Sequence, residues 1–146
     1  MEHIIKKATI FDLKGLQRLE KLCFTKDAWP FFDLVAVLTF PGVIRLKATR
    51  SNQMVGFIAG DIRNADSLAW IATLAVDPAF QNQGIGFSLL QECEKQLLTP
   101  QIRLCLRPEN SPAFNLYSKA GYKTIDRWKG YYNDKSDAIV MEKRGI

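Results

Sequence analysis

Between Trp70 and Leu90 the chain carries an apolar run, a proline and a glycine-bearing loop in one short stretch. Ile71, Ala72, Leu74, Ala75 and Val76 read as a buried strand that stops at Asp77-Pro78, because proline cannot donate to a ladder. Gln81-Asn82-Gln83-Gly84-Ile85-Gly86 follows, and Ile85, Leu89, Cys93 and Leu97 then recur at helical spacing. A strand, a glycine loop and a helix in that order make an anion site. The first helical turn leaves backbone N–H groups unpaired at its positive end, and glycine lets phosphate oxygens come close to the chain. Two familiar phosphate loops do not fit. A P-loop needs Lys-Ser/Thr after its last glycine, where this sequence has Phe87-Ser88, and the dinucleotide fingerprint needs a third glycine where Leu89 stands. An ordinary strand-to-helix turn also uses glycines, so the loop alone does not name a ligand.

The elements that must hold this loop follow from patterning. Residues 3 to 8 read as a strand, and Asp12 is placed to cap a helix reaching Cys23, with Leu13, Leu16, Leu19, Leu22 and Cys23 on its apolar side. Phe24 to Trp29 is a loop, and Pro30 suits the first turn of a second helix that runs to Phe40 and stops at Pro41-Gly42. Val43 to Thr49 and Met54 to Arg63 are strands joined at Arg50-Ser51-Asn52-Gln53, and Asn64 to Ser67 turns the chain into the central strand. Beyond the loop helix, Gln101 to Arg107 is a fifth strand, and Ser111 to Ala120 a short helix with Pro112 in its first turn and Gly121 at its end. Tyr122 to Lys129 and Ala138 to Lys143 form a last hairpin around Gly130 to Asp137. The expected class is α/β, a mixed, mostly antiparallel central sheet flanked by helices in the order β-α-α-β-β-β-α-β-α-β-β. At 146 residues, with no linker or repeat, residues 1–146 are expected to form a single domain.

Gln81-x-x-Gly84-x-Gly86 after a strand resembles the acetyl-CoA pyrophosphate loop of the GNAT N-acetyltransferases, whose first position is Arg or Gln. The segment from Asn110 to Tyr122 (NSPAFNLYSKAGY) is similar to that family's Asn-x-x-Ala-x-x-Leu-Tyr-x-x-x-Gly-Phe, with Tyr122 for the usual Phe. The element order is that of the GNAT fold, so the resemblance spans nearly the whole chain. Tyr131-Tyr132 followed by Asp137-Ala138-Ile139-Val140-Met141 resembles the end of the RimI-type ribosomal-protein-alanine N-acetyltransferases. Phe24 and Trp29 resemble the substrate loop of those enzymes, with a shifted spacing.

The resemblance implies acetyl transfer from acetyl-CoA to a primary amine by direct attack. Backbone groups of Leu74, Ala75 and Val76 would lie beside the pantetheine arm and polarise the thioester, an oxyanion-type effect. N–H groups from Asn82 to Phe87, including Gln83, Gly84, Ile85 and Gly86, would take the pyrophosphate, with Gln81 opening the motif. Asn110 would bind the arm. Tyr117 matches the general acid, a phenol of reference pKa about 10 that protonates the leaving thiolate. Phe24, Trp29, Tyr131 and Tyr132 would line the groove for a protein or peptide N-terminus, a ribosomal protein among the candidates. The pattern breaks at the base, because RimI-type enzymes carry a glutamate on the fifth strand where this sequence has Cys105. A thiol, reference pKa about 8.5 and higher in apolar surroundings, is a poor substitute. Deprotonating an α-amine (pKa about 7.8) at neutral pH costs about 1 kcal/mol, against roughly 4 to 5 kcal/mol for a lysine (about 10.4). A site without a strong base therefore favours N-terminal amines, with Glu109 reached through water, or a backbone carbonyl, as fallback acceptors. Two other readings remain open: a small-molecule amine N-acetyltransferase, and a catalytically silent acyl-CoA-binding module.

Composition narrows the classes further. Twenty basic and fifteen acidic residues give a net charge of +5, enough to attract an anionic cofactor. The basic residues are scattered without interleaved aromatics, so no nucleic-acid partner is expected. Cys23, Cys93 and Cys105 are odd in number and lack metal-ligand spacing, which predicts free thiols, no metal and a reducing cytoplasmic setting. The start lacks an apolar signal region, and the greasiest stretch, Phe31 to Phe40, is interrupted by Asp33 and too short to span a bilayer, so no membrane association is expected.

Overall fold

Period-2 and period-3.6 patterning sort the chain into seven strands and four helices. In the computed structural model, residues 3–24, 27–63 and 67–144 are described. They form β1 (Ile4–Lys7), α1 (Leu13–Cys23), α2 (Phe31–Thr39), β2 (Val43–Arg50), β3 (Gln53–Arg63), β4 (Leu68–Val76), α3 (Ile85–Leu97), β5 (Gln101–Leu106), α4 (Ser111–Lys119), β6 (Lys123–Trp128) and β7 (Ala138–Arg144). One seven-stranded sheet runs β1-β2-β3-β4-β5-β7-β6. Its pairs are antiparallel apart from β4 and β5, which run parallel. This is the α/β architecture expected, a mixed and mostly antiparallel sheet flanked by helices, with the elements in the expected order. Thr25 and Lys26 of the first loop, and Asn64 to Asp66 of the turn before β4, lie outside the described residues.

The β2–β3 hairpin turns on Ser51 and Asn52, both left-handed (φ 53° and 65°), which matches the twist of the flanking strands. The start of α1 differs from expectation. Asp12 makes no side-chain cap to α1; it closes a capping box with Thr9 around a 3-10 turn at Ile10–Asp12, and its other oxygen takes Lys47 Nζ at 2.7 Å. A short side chain flanked by two donors serves both, and α1 grows directly out of the turn.

Two apolar layers cover the sheet. On one face Leu16 and Leu19 of α1 and Leu34, Val37 and Leu38 of α2 pack with Phe57, Ala59 and Ala75. On the other, α3 lays Ile85, Leu89, Leu90, Cys93 and Leu97 against Ile58, Ile102 and Leu104. α3 sits deep because β3 is bare beneath it. A Cβ on Gly56 would stand 2.9 Å from Leu89 Cδ1, and one on Gly60 2.9 Å from Cys93 Sγ. That seating fixes where the N-terminus of α3 emerges relative to the end of β4.

Candidate active site

The site begins as a flaw in the sheet. The β3–β4 register shifts between Ala59 and Gly60, whose partners are Thr73 and Ile71, so Ala72 is the extra residue of a β-bulge. A bulge bends its strand and adds twist. β4 keeps only three pairs with β5, Leu68 with Gln101, Ala69 with Ile102 and Trp70 with Arg103, and then the two strands part. The split opens a cleft of about 460 Å³ with Thr73 and Leu74 on one wall and Cys105 and Arg107 on the other. Asn110 and Tyr117 enter from α4, and Phe24, Trp29 and Tyr132 from the two loops that overhang it.

Tyr117 is held by local chemistry. Asn110 caps α4 by accepting the Ala113 N–H at 3.2 Å, and Pro112 follows in the first turn. This brings the Tyr117 ring into the core, 7% exposed and edge-on to Tyr122 at 5.8 Å between centroids. Its hydroxyl forms no hydrogen bond with any described residue. Burial first, and the neighbouring Tyr132 second, raise its pKa above the ordinary phenol value, so it is a protonated donor at neutral pH. Opposite it, burial pushes the Cys105 thiol up to about 11, which leaves it neutral and unsuited to remove a proton. Tyr132 rises to about 12, chiefly through burial.

The loop after β4 has the shape of an anion cradle. Asn82 (φ 63°) and Gly84 (φ 80°) are left-handed, and a Cβ on Gly84 would meet nothing within 4 Å, so space lies open above it. Ser88 is the first helical donor, reaching Gly84 O at 3.0 Å, and the N–H groups of Ile85, Gly86 and Phe87 precede it. At Gly86 a Cβ would stand 3.2 Å from Leu116 Cδ2, so glycine lets α4 close on the first turn of α3. Open space over a left-handed glycine, bare N–H groups and a split between strands fit a diphosphate with an extended thiol arm. Gln81 has a bracing part here: its Nε2 donates to Val76 O at 3.2 Å, an oxygen that also accepts Cys23 Sγ at 3.3 Å. The Val76 carbonyl is thus engaged from within the protein. Gln83 accepts from Arg50 Nη1 at 2.8 Å, and the Arg50 guanidinium stacks on Phe80 at 5.3 Å.

Of the residues singled out for the substrate, Phe24, Trp29 and Tyr132 line the cleft. Tyr131 does not. It is 53% exposed and packs edge-on against Tyr132 at 5.0 Å, with Trp128 at 5.4 Å on its other side.

Two groups, one lining the cleft and one buried behind it, have no signature in the sequence. Arg107, at the end of β5, grips Asp27 with both arms (2.6 and 2.8 Å), reaches Asp134 at 3.1 Å and lies over the Tyr132 ring at 4.4 Å. It thereby joins the α1–α2 loop to the β6–β7 loop above the cleft. Glu109 approaches the same guanidinium at 3.6 Å and is 64% exposed. The second group is Glu20, fully buried on α1, which accepts Thr73 Oγ1 at 3.1 Å and the Trp29 N–H at 3.4 Å. Burial raises its pKa, partly offset by those two bonds. Among the described residues no cluster of His, Cys, Asp or Glu could hold a metal ion, and no helix is long and apolar enough to cross a membrane.

Comparison with known proteins agrees with this geometry. The model of the acetyltransferase (GNAT) family matches residues 13–122. The N-alpha-acetyltransferase RimI of Mycobacterium tuberculosis is 32% identical over 137 residues, covering 90% of this chain and 86% of the relative. An N-alpha-acetyltransferase of Sulfurisphaera tokodaii is 26% identical, covering 96% and 92%. In three dimensions the ribosomal-protein-S18-alanine N-acetyltransferase of Escherichia coli superposes with a TM-score of 0.88 at 23% identity, over 98% of this chain and 94% of that one. With its split sheet, its glycine cradle ahead of α3 and its phenol on α4, the chain belongs to the GNAT family of acetyl-CoA-dependent N-acetyltransferases.

Proposed function

We propose that this enzyme acetylates the α-amine of a protein or peptide N-terminus. The observation that carries the reading is the pairing inside one cleft of a protonated phenol, Tyr117, with a neutral thiol, Cys105, where a stronger base would stand. Tyr117 hands its proton to the departing thiolate. The bare N–H groups from Ile85 to Phe87 hold the diphosphate, the end of β4 and Asn110 hold the arm, and Phe24, Trp29 and Tyr132 enclose the first residue of the substrate. Without an ionised carboxylate on β5, an amine that is already partly neutral at physiological pH is the one the site can use. The names of the relatives point the same way, and the E. coli neighbour acts on the alanine of a ribosomal protein, so peptides beginning with alanine are the first to assay.

The test is a matched pair of peptides, one with a free N-terminus and no lysine, the other N-blocked with one lysine, incubated with acetyl-CoA and followed by thiol release. Acetylation of the first at least about 10²-fold faster supports the reading; equal rates refute it. Acetyl-CoA binding without turnover on any amine would instead favour a silent acyl-CoA module, the reading that the Cys105 thiol favours.

A further inference from the structure

Thr73 and Glu20 form a polar pair that ties the interior of the protein to the wall of the cleft. Thr73 lines the cleft and donates its hydroxyl proton to Glu20 Oε2 at 3.1 Å, while no described residue donates to Thr73 Oγ1. Glu20 is 1% exposed and pairs with no cation among the described residues. The titratable group that faces it is Cys23 on the same helix, whose thiol is held neutral by burial first and by Glu20 second; Arg18 and Asp77, paired at 3.3 Å, act on that thiol. A buried carboxylate without a cation costs stability, and here its strongest contact leads to a hydroxyl in the reaction space.

The faces of the sheet give this a direction. Leu104 and Leu106 pack in the α3 layer, which turns Cys105 and Arg107 to the side of α1 and α2. Thr73 reaches α1 on that same side, whereas Tyr117 packs in the α3 layer. An amine entering past Phe24 and Trp29 therefore meets Thr73, and the sulfur leaves toward Tyr117. We propose that Thr73 accepts the proton of the attacking amine and relays it to Glu20, replacing the carboxylate that β5 lacks. The inference rests on the acetyltransferase reading of the cleft. As the amine nitrogen bonds to the thioester carbon, its N–H proton passes to Thr73 Oγ1 and the hydroxyl proton passes to Glu20 Oε2. The C–S bond then breaks and sulfur leaves with the electron pair and takes the Tyr117 proton; Glu20 returns its proton through the Thr73 hydroxyl to water in the cleft, and that water reprotonates the phenolate. Thr73 touches the reacting amine. Glu20 does not, and acts as a positioning residue through the hydroxyl.

The test compares native protein with Thr73→Val, Thr73→Ser, Glu20→Gln and the double variant Glu20→Gln/Cys105→Glu, each with measured acetyl-CoA affinity, melting temperature, and kcat and KM on an α-amine peptide from pH 6 to 10. The relay requires Thr73→Val and Glu20→Gln to lose about 10²-fold or more in kcat with acetyl-CoA affinity unchanged. Thr73→Ser should stay within about tenfold of native. In native protein kcat should climb with pH and level off once Glu20 is ionised; both crippled variants should lose the plateau and keep gaining rate with pH as hydroxide replaces the relay. Cys105→Glu should restore turnover to Glu20→Gln. If Thr73→Val or Glu20→Gln keeps native kcat and pH profile, the relay is wrong. Should Thr73→Val not fold, Glu20→Gln with its Cys105→Glu rescue decides the matter. Native protein that binds acetyl-CoA but acetylates no α-amine overturns the function itself, an outcome distinct from loss of the relay alone.

Discussion

Replacing Tyr117 by phenylalanine separates chemistry from packing better than any other single change. The ring is 7% exposed and edge-on to Tyr122, and phenylalanine keeps both the volume and that contact. The hydroxyl bonds to no described residue, so its removal orphans no partner in the protein. The expected change in folding stability is within about 0.5 kcal/mol, the range of substitutions that break no buried interaction. The effect on turnover that the proposed general-acid role predicts is much larger. A positioned general acid contributes about 10²- to 10⁴-fold, which is about 2.7 to 5.4 kcal/mol of barrier at 1.36 kcal/mol per tenfold. With Tyr117 as the proposed general acid, the loss should fall on kcat, because the phenol would meet the sulfur only as the C–S bond breaks. Continuous thiol release with saturating peptide gives kcat, calorimetry with acetyl-CoA gives affinity, and a thermal melt gives stability. A variant that turns over within threefold of native would remove Tyr117 from the mechanism. Equal losses in kcat and acetyl-CoA affinity would make it a binding residue.

Other changes probe the surrounding frame. Arg107→Leu unlatches the two overhanging loops, and misplacement of Tyr132 and Trp29 should lower kcat/KM for the peptide by about 10²-fold while acetyl-CoA affinity holds; unchanged peptide kinetics would mean that the latch is ornamental. With its pKa near 11, Cys105 should react with iodoacetamide slowly at pH 7.5 and about tenfold faster per pH unit toward pH 11, with bound acetyl-CoA protecting it, as read by peptide mass spectrometry. Rapid labelling at neutral pH would reveal a thiolate and reopen its candidacy as base. Tyr122 donates to buried Glu94 at 2.8 Å, and Lys143 meets the other oxygen at 3.0 Å. Tyr122→Phe should therefore cost about 1 to 2 kcal/mol and lower the melting temperature by about 3 to 6 °C without touching kcat.

Much of this molecule was legible along the chain because the signals are local. Asp77-Pro78 ends a strand, Gly84 takes a left-handed turn ahead of an apolar helix, and Asn110 with Pro112 starts another; each depends on neighbours within a turn or two. The departure at Tyr122 was visible too, although its reason, a hydrogen bond to Glu94 on α3, was not. What the letters could not carry is whatever joins distant segments. Glu20 meets Thr73 across 53 residues and Arg107 meets Asp27 across 80, and neither spacing leaves a periodic trace. The cleft itself arises from a bulge at Ala72, a register shift that exists only once β3 and β4 have paired. Backbone conformation and capping are settled by adjacent residues. Which carboxylate is buried, which thiol is neutral and which hydroxyl faces open space depend on the dielectric and the partners that packing brings, and those belong to the tertiary structure alone.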